Sequence, residues 1–314
     1  MRKILVTGGA GNIGSALVKK LLENDQNFIV VADDLSTGSK LKLPIIKGNW
    51  KFVRCDVNIY KSISELMIAN QFDYVFHYAA MVGVERTQAH PIQVLKDIDG
   101  IKNVLELCKN TSVKRVFYSS SSEVYGEPVE LPQHEHTTPL NSRVPYAIVK
   151  NVGEAFLKSY KQEYDLNYTI FRFFNTYGVS QSSDFVITRF IKQALNNQDI
   201  NIYGEGNQTR TFCYVDDNVE TCVKTLYENK IINDVINVGG DVVVKVLDLA
   251  NLIVTLTNSK SRITHLPPLP EGDMTRRQPD NSKMLSILGR DLIPVEEGIK
   301  KMLADKNFVN SCVE

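Results

Sequence analysis

The chain has 314 residues, enough to bury a full core in one large or two closely joined domains, and its 36 lysines and arginines are balanced by 36 aspartates and glutamates. That balance gives no electrostatic reason to expect nucleic acid or an anionic membrane as a partner. No run of eighteen apolar residues exists, the N-terminus enters a strand with no room for a signal peptide, and five cysteines lack metal-type spacing; a cytoplasmic, reduced protein is expected.

The first element carries the most information. Lys3-Ile4-Leu5-Val6-Thr7 reads as a buried parallel strand and runs into Gly8, Gly11 and Gly14, after which Ser15–Leu22 has helical apolar spacing. Glycines at such a turn let a pyrophosphate approach the backbone, and the helix N-terminus attracts the anion. The next apolar run, Phe28–Ala32, ends in Asp33, nineteen positions past Gly14, where a dinucleotide fold places the carboxylate for the adenosine ribose. Asp34 follows with no arginine nearby, so NAD is favoured over NADP. Gly8, Gly11, Asn12, Ile13, Gly14 and Asp33 are therefore candidate cofactor residues.

Strand-like and helix-like segments then alternate, which predicts an α/β fold with a Rossmann-type doubly wound parallel sheet and a smaller C-terminal α/β substrate-binding region. A strand at 51–55 ends in Asp56-Val57, a helix covers 63–70, and a strand at 74–78 runs into Ala79-Ala80, small enough to pass close to a cofactor. The spacing of Ile92, Leu95, Ile98, Ile101, Leu105 and Cys108 predicts one long helix from Pro91 to Asn110. A strand at 114–118 ends in Ser119–Gly126, with hydroxyls and the Glu123 carboxylate at the strand's carboxyl end. Tyr146 and Lys150 open the next helix, to about Tyr164, and spacing of four puts phenol and ammonium on one face. A nearby ammonium lowers a phenol's pKa, making Tyr146 a candidate general base.

In the second half, a strand at 168–173 leads to Asn175, helices are expected near 186–196 and 246–256, and a strand at 235–238. Asp216 and Asp217 are placed to cap the helix carrying Val219, Val223 and Leu226, and a short helix closes the chain after Pro294. The loop from Pro267 to Pro279 contains Arg276 and Arg277. The expected division is 1–175 for the cofactor and 176–314 for the substrate, with some chain crossing between them.

Together, Thr7-Gly8-Gly9-Ala10-Gly11-Asn12-Ile13-Gly14, Ser121-Ser122-Glu123-Val124-Tyr125-Gly126, Tyr146-Ala147-Ile148-Val149-Lys150 and Arg172–Gly178 resemble the extended short-chain dehydrogenase/reductase family, and within it the nucleotide-sugar epimerases, dehydratases and decarboxylases. The resemblance implies an NAD-dependent enzyme that oxidises C4 of a UDP- or dTDP-sugar to a 4-keto sugar. It implies that Tyr146 takes the 4-hydroxyl proton, Lys150 binds the nicotinamide ribose, and Ser121 hydrogen-bonds the same oxygen. It also implies that Asn175, Val186, Tyr203, Arg210 and either Arg276 or Arg277 surround the nucleotide sugar, and that the helices at 91–110 and 146–164 pair in a homodimer.

The second step is left open. The 4,6-dehydratases resembled here carry aspartate and glutamate where this chain has Ser122 and Glu123, so loss of water would lack its usual acid. UDP-glucuronate decarboxylases match at Ser122 and Glu123, yet usually have cysteine and arginine where Pro145 and Asn151 stand. Simple 4-epimerases usually have a small or hydroxyl residue in place of Glu123. Asn12 stands where an apolar residue is usual. The expectation is elimination or decarboxylation with Glu123 as the second proton-transfer group, the alternative a UDP-hexose 4-epimerase. A non-catalytic NAD-binding scaffold, whose mark would be loss of Tyr146 or Lys150, is a distant third.

Overall fold

The computed structural model describes residues 1–45, 48–267 and 276–313. The continuous apolar run of β1 (Arg2–Thr7) is explained by its place: Ile4, Leu5 and Val6 are fully buried, with β2 (Asn27–Asp33) on one side and β4 (Tyr74–His77) on the other. Beyond them lie β3 (Trp50–Arg54), β5 (Arg115–Ser121), β6 (Tyr168–Phe173) and the strand Asp234–Val238. Among the described residues these seven form one parallel sheet, in the order Asp234–Val238, β6, β5, β4, β1, β2, β3. The order reverses between β1 and β4, so the loops leaving the strands' carboxyl ends part there and open a crevice.

Alternate residues feed two cores. Ile4, Val6, Ile29, Val31, Phe76 and Phe117 pack on one face, against α1 (Asn12–Leu21). Leu5, Val30, Ala32, Val75 and Val116 pack on the other, where α2 (Tyr60–Asn70), α5 (Asp97–Lys109) and α6 (Pro145–Tyr164) lie. All five cysteines are buried and free. Among the described residues, no helix is long and apolar enough to cross a membrane and no His/Cys/Asp/Glu group could hold a metal ion.

Several elements differ from expectation. After α3 (Val84–Ala89), the helix expected over 91–110 is two pieces, α4 (Pro91–Leu95) and α5, joined at Lys96 by short-range bonds from Lys96 N to Gln93 O (3.2 Å) and Asp99 N to Lys96 O (2.9 Å). Ile92 and Leu95 are exposed, and Val94 enters the core instead. Strand β5 continues through Ser121, its buried serine hydroxyls satisfied by the neighbouring strand and by α6: Ser119 Oγ donates to His77 O and Ser120 Oγ to Glu154.

Asp216 and Asp217 do not cap α8 (Val215–Tyr227). They lie inside its first turn, where carboxylates suit the dipole, and Asp217 is buried with Arg290 and the Ile293 amide. The chain closes in two helices, Val295–Ala304 and Lys306–Cys312. The segment 268–275 of the proline-rich loop lies outside the described residues.

Candidate active site

The glycine turn is shaped for close approach. Gly8 has φ +67°, and a Cβ there would sit 2.6 Å from Ala79 N; a Cβ at Gly14 would sit 2.2 Å from Gly8 O. Helix α1 has no side-chain cap at Gly11, so the amides of its first turn are left for a ligand. The Asn12 Oδ1 atom is buried and finds no partner among the described residues.

At the end of β2, Asp33 accepts hydrogen bonds from Ala10 N (2.9 Å) and Leu35 N (2.8 Å). Burial pushes its carboxyl up, and the two amides oppose that. Gly8, Gly11, Asn12, Ile13, Gly14, Asp33, Asp56, Val57, Ala79 and Ala80 line a single cleft of about 1410 Å³. An anion cradle with a fixed carboxylate beside it fits the pyrophosphate and ribose of a dinucleotide.

The same cleft contains Ser121, Glu123, Tyr146 and Lys150. Tyr146 and Lys150 stand one turn apart on α6, with the Lys150 Nζ 5.8 Å from the Tyr146 ring centre. Lys150 is 3% exposed and donates to Ser119 O (2.6 Å) and Ser119 Oγ (3.3 Å). Burial pushes its pKa down to about 8, against the pull of Asp97.

The Tyr146 phenol is raised, first by burial and then by the Glu123 charge, while the Ser121 hydroxyl and Arg277 pull it down. The phenol thus lies above its ordinary value where a lowering is expected, and the Lys150 ammonium is turned to Ser119, a backbone carbonyl and hydroxyl with no spacing signature. Ser121 Oγ also accepts the Glu123 amide (3.2 Å).

Glu123 lies on a single 3₁₀ turn, Ser122–Tyr125, and its carboxylate pairs with Arg277 Nη2 at 2.7 Å, with both side chains largely buried. Arg277 lines the cleft, whereas Arg276 faces solvent. Asn175 also lines it and donates to Thr211 O (3.0 Å), and Val186 lines it at the head of α7 (Val186–Leu195).

Tyr203, on the strand Ile200–Tyr203, and Arg210, on the strand Thr209–Thr211, stand outside the cleft lining. Arg189 lies 5.9 Å over the Tyr203 ring, and Arg210 donates to Thr209 O (2.8 Å). Asn175, bonded to the Arg210 strand, is the link between that region and the cleft.

Two cleft residues had no signal in the sequence. Arg86 pairs with Asp184 at 3.0 Å, joining α3 to the loop before α7. Asp97 begins α5 and accepts the Met81 amide at 2.7 Å. Both read as solvated polar positions until the fold brings distant loops to them.

A model of the NAD dependent epimerase/dehydratase family matches residues 4–239. UDP-glucuronic acid decarboxylase 3 of Arabidopsis thaliana is 34% identical over 313 residues, covering 96% of this chain and 88% of the relative. The crystal structure of UDP-glucose 4-epimerase with UDP-glucose from Thermotoga maritima has a TM-score of 0.91 at 30% identity, covering 98% of this chain and 99% of the other. That of UDP-glucuronic acid 4-epimerase from Bacillus cereus, in complex with UDP-glucuronic acid and NAD, has a TM-score of 0.88 at 29% identity, with 98% and 99% covered. With the glycine cradle, Asp33 and the Tyr146–Lys150 pair gathered in one cleft, these likenesses make the chain a member of the NAD-dependent epimerase/dehydratase family.

Proposed function

We propose that the chain oxidises C4 of a UDP-hexuronate and that decarboxylation follows. The observation that carries this reading is the Glu123–Arg277 pair, 2.7 Å apart in the cleft that holds Tyr146. A guanidinium suits a C6 carboxylate, and a carboxylate beside it can hold or move a proton. A neutral hexose could make only hydroxyl hydrogen bonds to the pair, without the charge-assisted contact that a C6 carboxylate makes to a guanidinium. Similarity to a UDP-glucuronic acid decarboxylase and to UDP-sugar epimerases supports uridine over thymidine.

Residues 8–14, Asp33 and Lys150 would hold NAD, which supplies the two-electron oxidation at C4 and its reversal. Tyr146 takes the 4-hydroxyl proton while Ser121 hydrogen-bonds the same oxygen. The resulting ketone makes the C6 carboxylate a β-keto acid: the C5–C6 bond breaks, carbon dioxide leaves, and the electron pair enters the C4 carbonyl as an enolate. Protonation at C5 restores the ketone, with a proton that Glu123 would supply from the same cleft. Residues 1–175 would then serve the cofactor and 176–314 chiefly the nucleotide.

The second reading is 4-epimerisation of the same uronate, favoured by the likeness to the Bacillus cereus UDP-glucuronic acid 4-epimerase complex. Incubation with UDP-glucuronate and UDP-glucose, followed by NMR and carbon dioxide capture, separates them. Carbon dioxide and a UDP-pentose are expected. Glu123→Gln should lower carbon dioxide release by about 10²–10³-fold, as loss of a proton-transfer group does. A C4 epimer without carbon dioxide would establish the second reading.

We also propose a homodimer. Ile92 and Leu95 on α4 and Ile148 on α6 are exposed on neighbouring helices, an apolar surface that a second copy would cover. Sedimentation should give twice the 35.4 kDa chain mass, and Ile92→Lys with Ile148→Lys should give a monomer. A monomeric parent protein at micromolar concentration would refute it.

A further inference from the structure

Lys150 is a buried cation whose nearest partners carry no charge: Ser119 through its carbonyl and hydroxyl, and the rings of Tyr118 and Tyr146, 5.1 Å and 5.8 Å away. From β4, His77 faces it and is neutral. Thr7 Oγ1 accepts the amides of Tyr78 (3.2 Å) and Ala79 (3.3 Å), so its own proton goes to His77 Nδ1, 2.8 Å away. Burial and the Lys150 charge hold His77 at about 3. A buried ammonium so placed needs an anion within the same low-dielectric region.

The break between α4 and α5 supplies one. Because the helix restarts after Lys96, Asp97 is the first residue of α5 and lines the cleft with Lys150. Its carboxylate is fixed from two sides, by the Met81 amide (2.7 Å) after β4 and by Asn58 Nδ2 (3.4 Å) after β3. Asn103 in turn holds that second loop through Val57 O and Asn58 O. Such bracing is more than a surface aspartate at a helix start requires.

We propose that Asp97 is the counter-charge of Lys150, a positioning residue that keeps the ammonium protonated and seated between Ser119 and Tyr146. The inference rests on the reading of Tyr146 and Lys150 as the oxidising machinery. Burial pushes the Lys150 pKa down and the Asp97 carboxyl up; Asp97 opposes the first, and the Met81 amide and then Lys150 oppose the second. Among the described residues Tyr118, Tyr146 and His77 also surround this pair, with Asp56 acting on Asp97, Glu123 and Arg277 on Tyr146, and Glu154 on Tyr118. Asp97 raises both phenols as well.

The test uses Asp97→Asn, which keeps an acceptor for the Met81 amide and removes only the charge. Its first readout is an NMR titration of the Lys150 ε-ammonium in cofactor-free protein, assigned with Lys150→Arg. Its second is the pH profile of single-turnover oxidation of UDP-glucuronate by NAD-loaded protein.

Without the anion the ammonium loses its proton at lower pH, so the titration should move about one pH unit to the acid side. Asp97 raises the Tyr146 phenol as well, so the pH profile as a whole should move the same way. Asp97→Glu should restore both, and Asp97→Ser should repeat the shift should the asparagine variant not fold. Unmoved titrations in both uncharged variants would overturn the proposal and leave Asp97 a clamp for the Met81 segment. Tyr146→Phe, run in parallel, reports on the underlying reading separately: full oxidation by that variant would sink the reading whatever Lys150 does.

Discussion

Tyr146→Phe is expected to bind NAD as the parent chain does and to oxidise UDP-glucuronate about 10³-fold more slowly, the loss that follows removal of a positioned general base. The ring remains, so the packing of α6 is preserved, and only the oxygen that would take the 4-hydroxyl proton is lost. In the cofactor-free chain, burial and Glu123 hold that phenol in its neutral form. The parent rate should accordingly rise with pH on the acid side, and the residual rate of the variant should not. Rapid mixing with nicotinamide absorbance measures the step, and calorimetry measures NAD affinity. An unchanged rate with NAD bound would remove Tyr146 from the chemistry.

The second large effect is on stability. Arg172 on β6 and Glu154 on α6 are each about 1% exposed and joined by two hydrogen bonds, Nε to Oε1 at 2.9 Å and Nη2 to Oε2 at 2.7 Å. Arg172 Nη1 also donates to Tyr125 Oη (2.8 Å) and Glu135 O (2.9 Å), and Tyr125 Oη to Asn237 (2.7 Å). Arg172→Met leaves the Glu154 carboxylate buried without its cation and should cost ~3–5 kcal/mol, read from the urea midpoint. Adding Glu154→Leu should recover most of that, because an apolar pair of similar volume is close to neutral. A single variant within 1 kcal/mol of the parent, as an exposed pair would give, would show the bridge to be unimportant. Ser120, bonded to Glu154, precedes Ser121, so the single variant should also turn over more slowly.

What could be read from the sequence was local or evenly spaced. The glycine turn, the position of Asp33 and the four-residue spacing of Tyr146 and Lys150 each lie within one βα unit, and the structure gathers them in one cleft. Backbone partners and long-range pairs left no trace. Glu123 meets Arg277 across 154 positions, and Lys150 turns to the carbonyl of Ser119, which any residue would provide. Periodicity also cannot tell a core stripe from an uncovered one. Ile92 and Leu95 fit the helical pattern and remain 74% and 42% exposed. Asp97, at the start of the helix that follows the split at Lys96, meets the Met81 amide across 16 positions, a contact no helical pattern registers.

The edge strand Asp234–Val238 pairs with β6, although the other six strands of the sheet all come from the first 173 residues. During synthesis β6 therefore leaves the ribosome as a bare edge, and stays so until residue 234 has been made. Until then Asn237, which closes the chain of bonds from Glu154 through Arg172 and Tyr125, is missing as well. Completion of the sheet therefore waits on a non-local pairing, the kind of contact that slows folding. A ribosome stalled before that strand would display an unpaired β6, an edge able to join another chain.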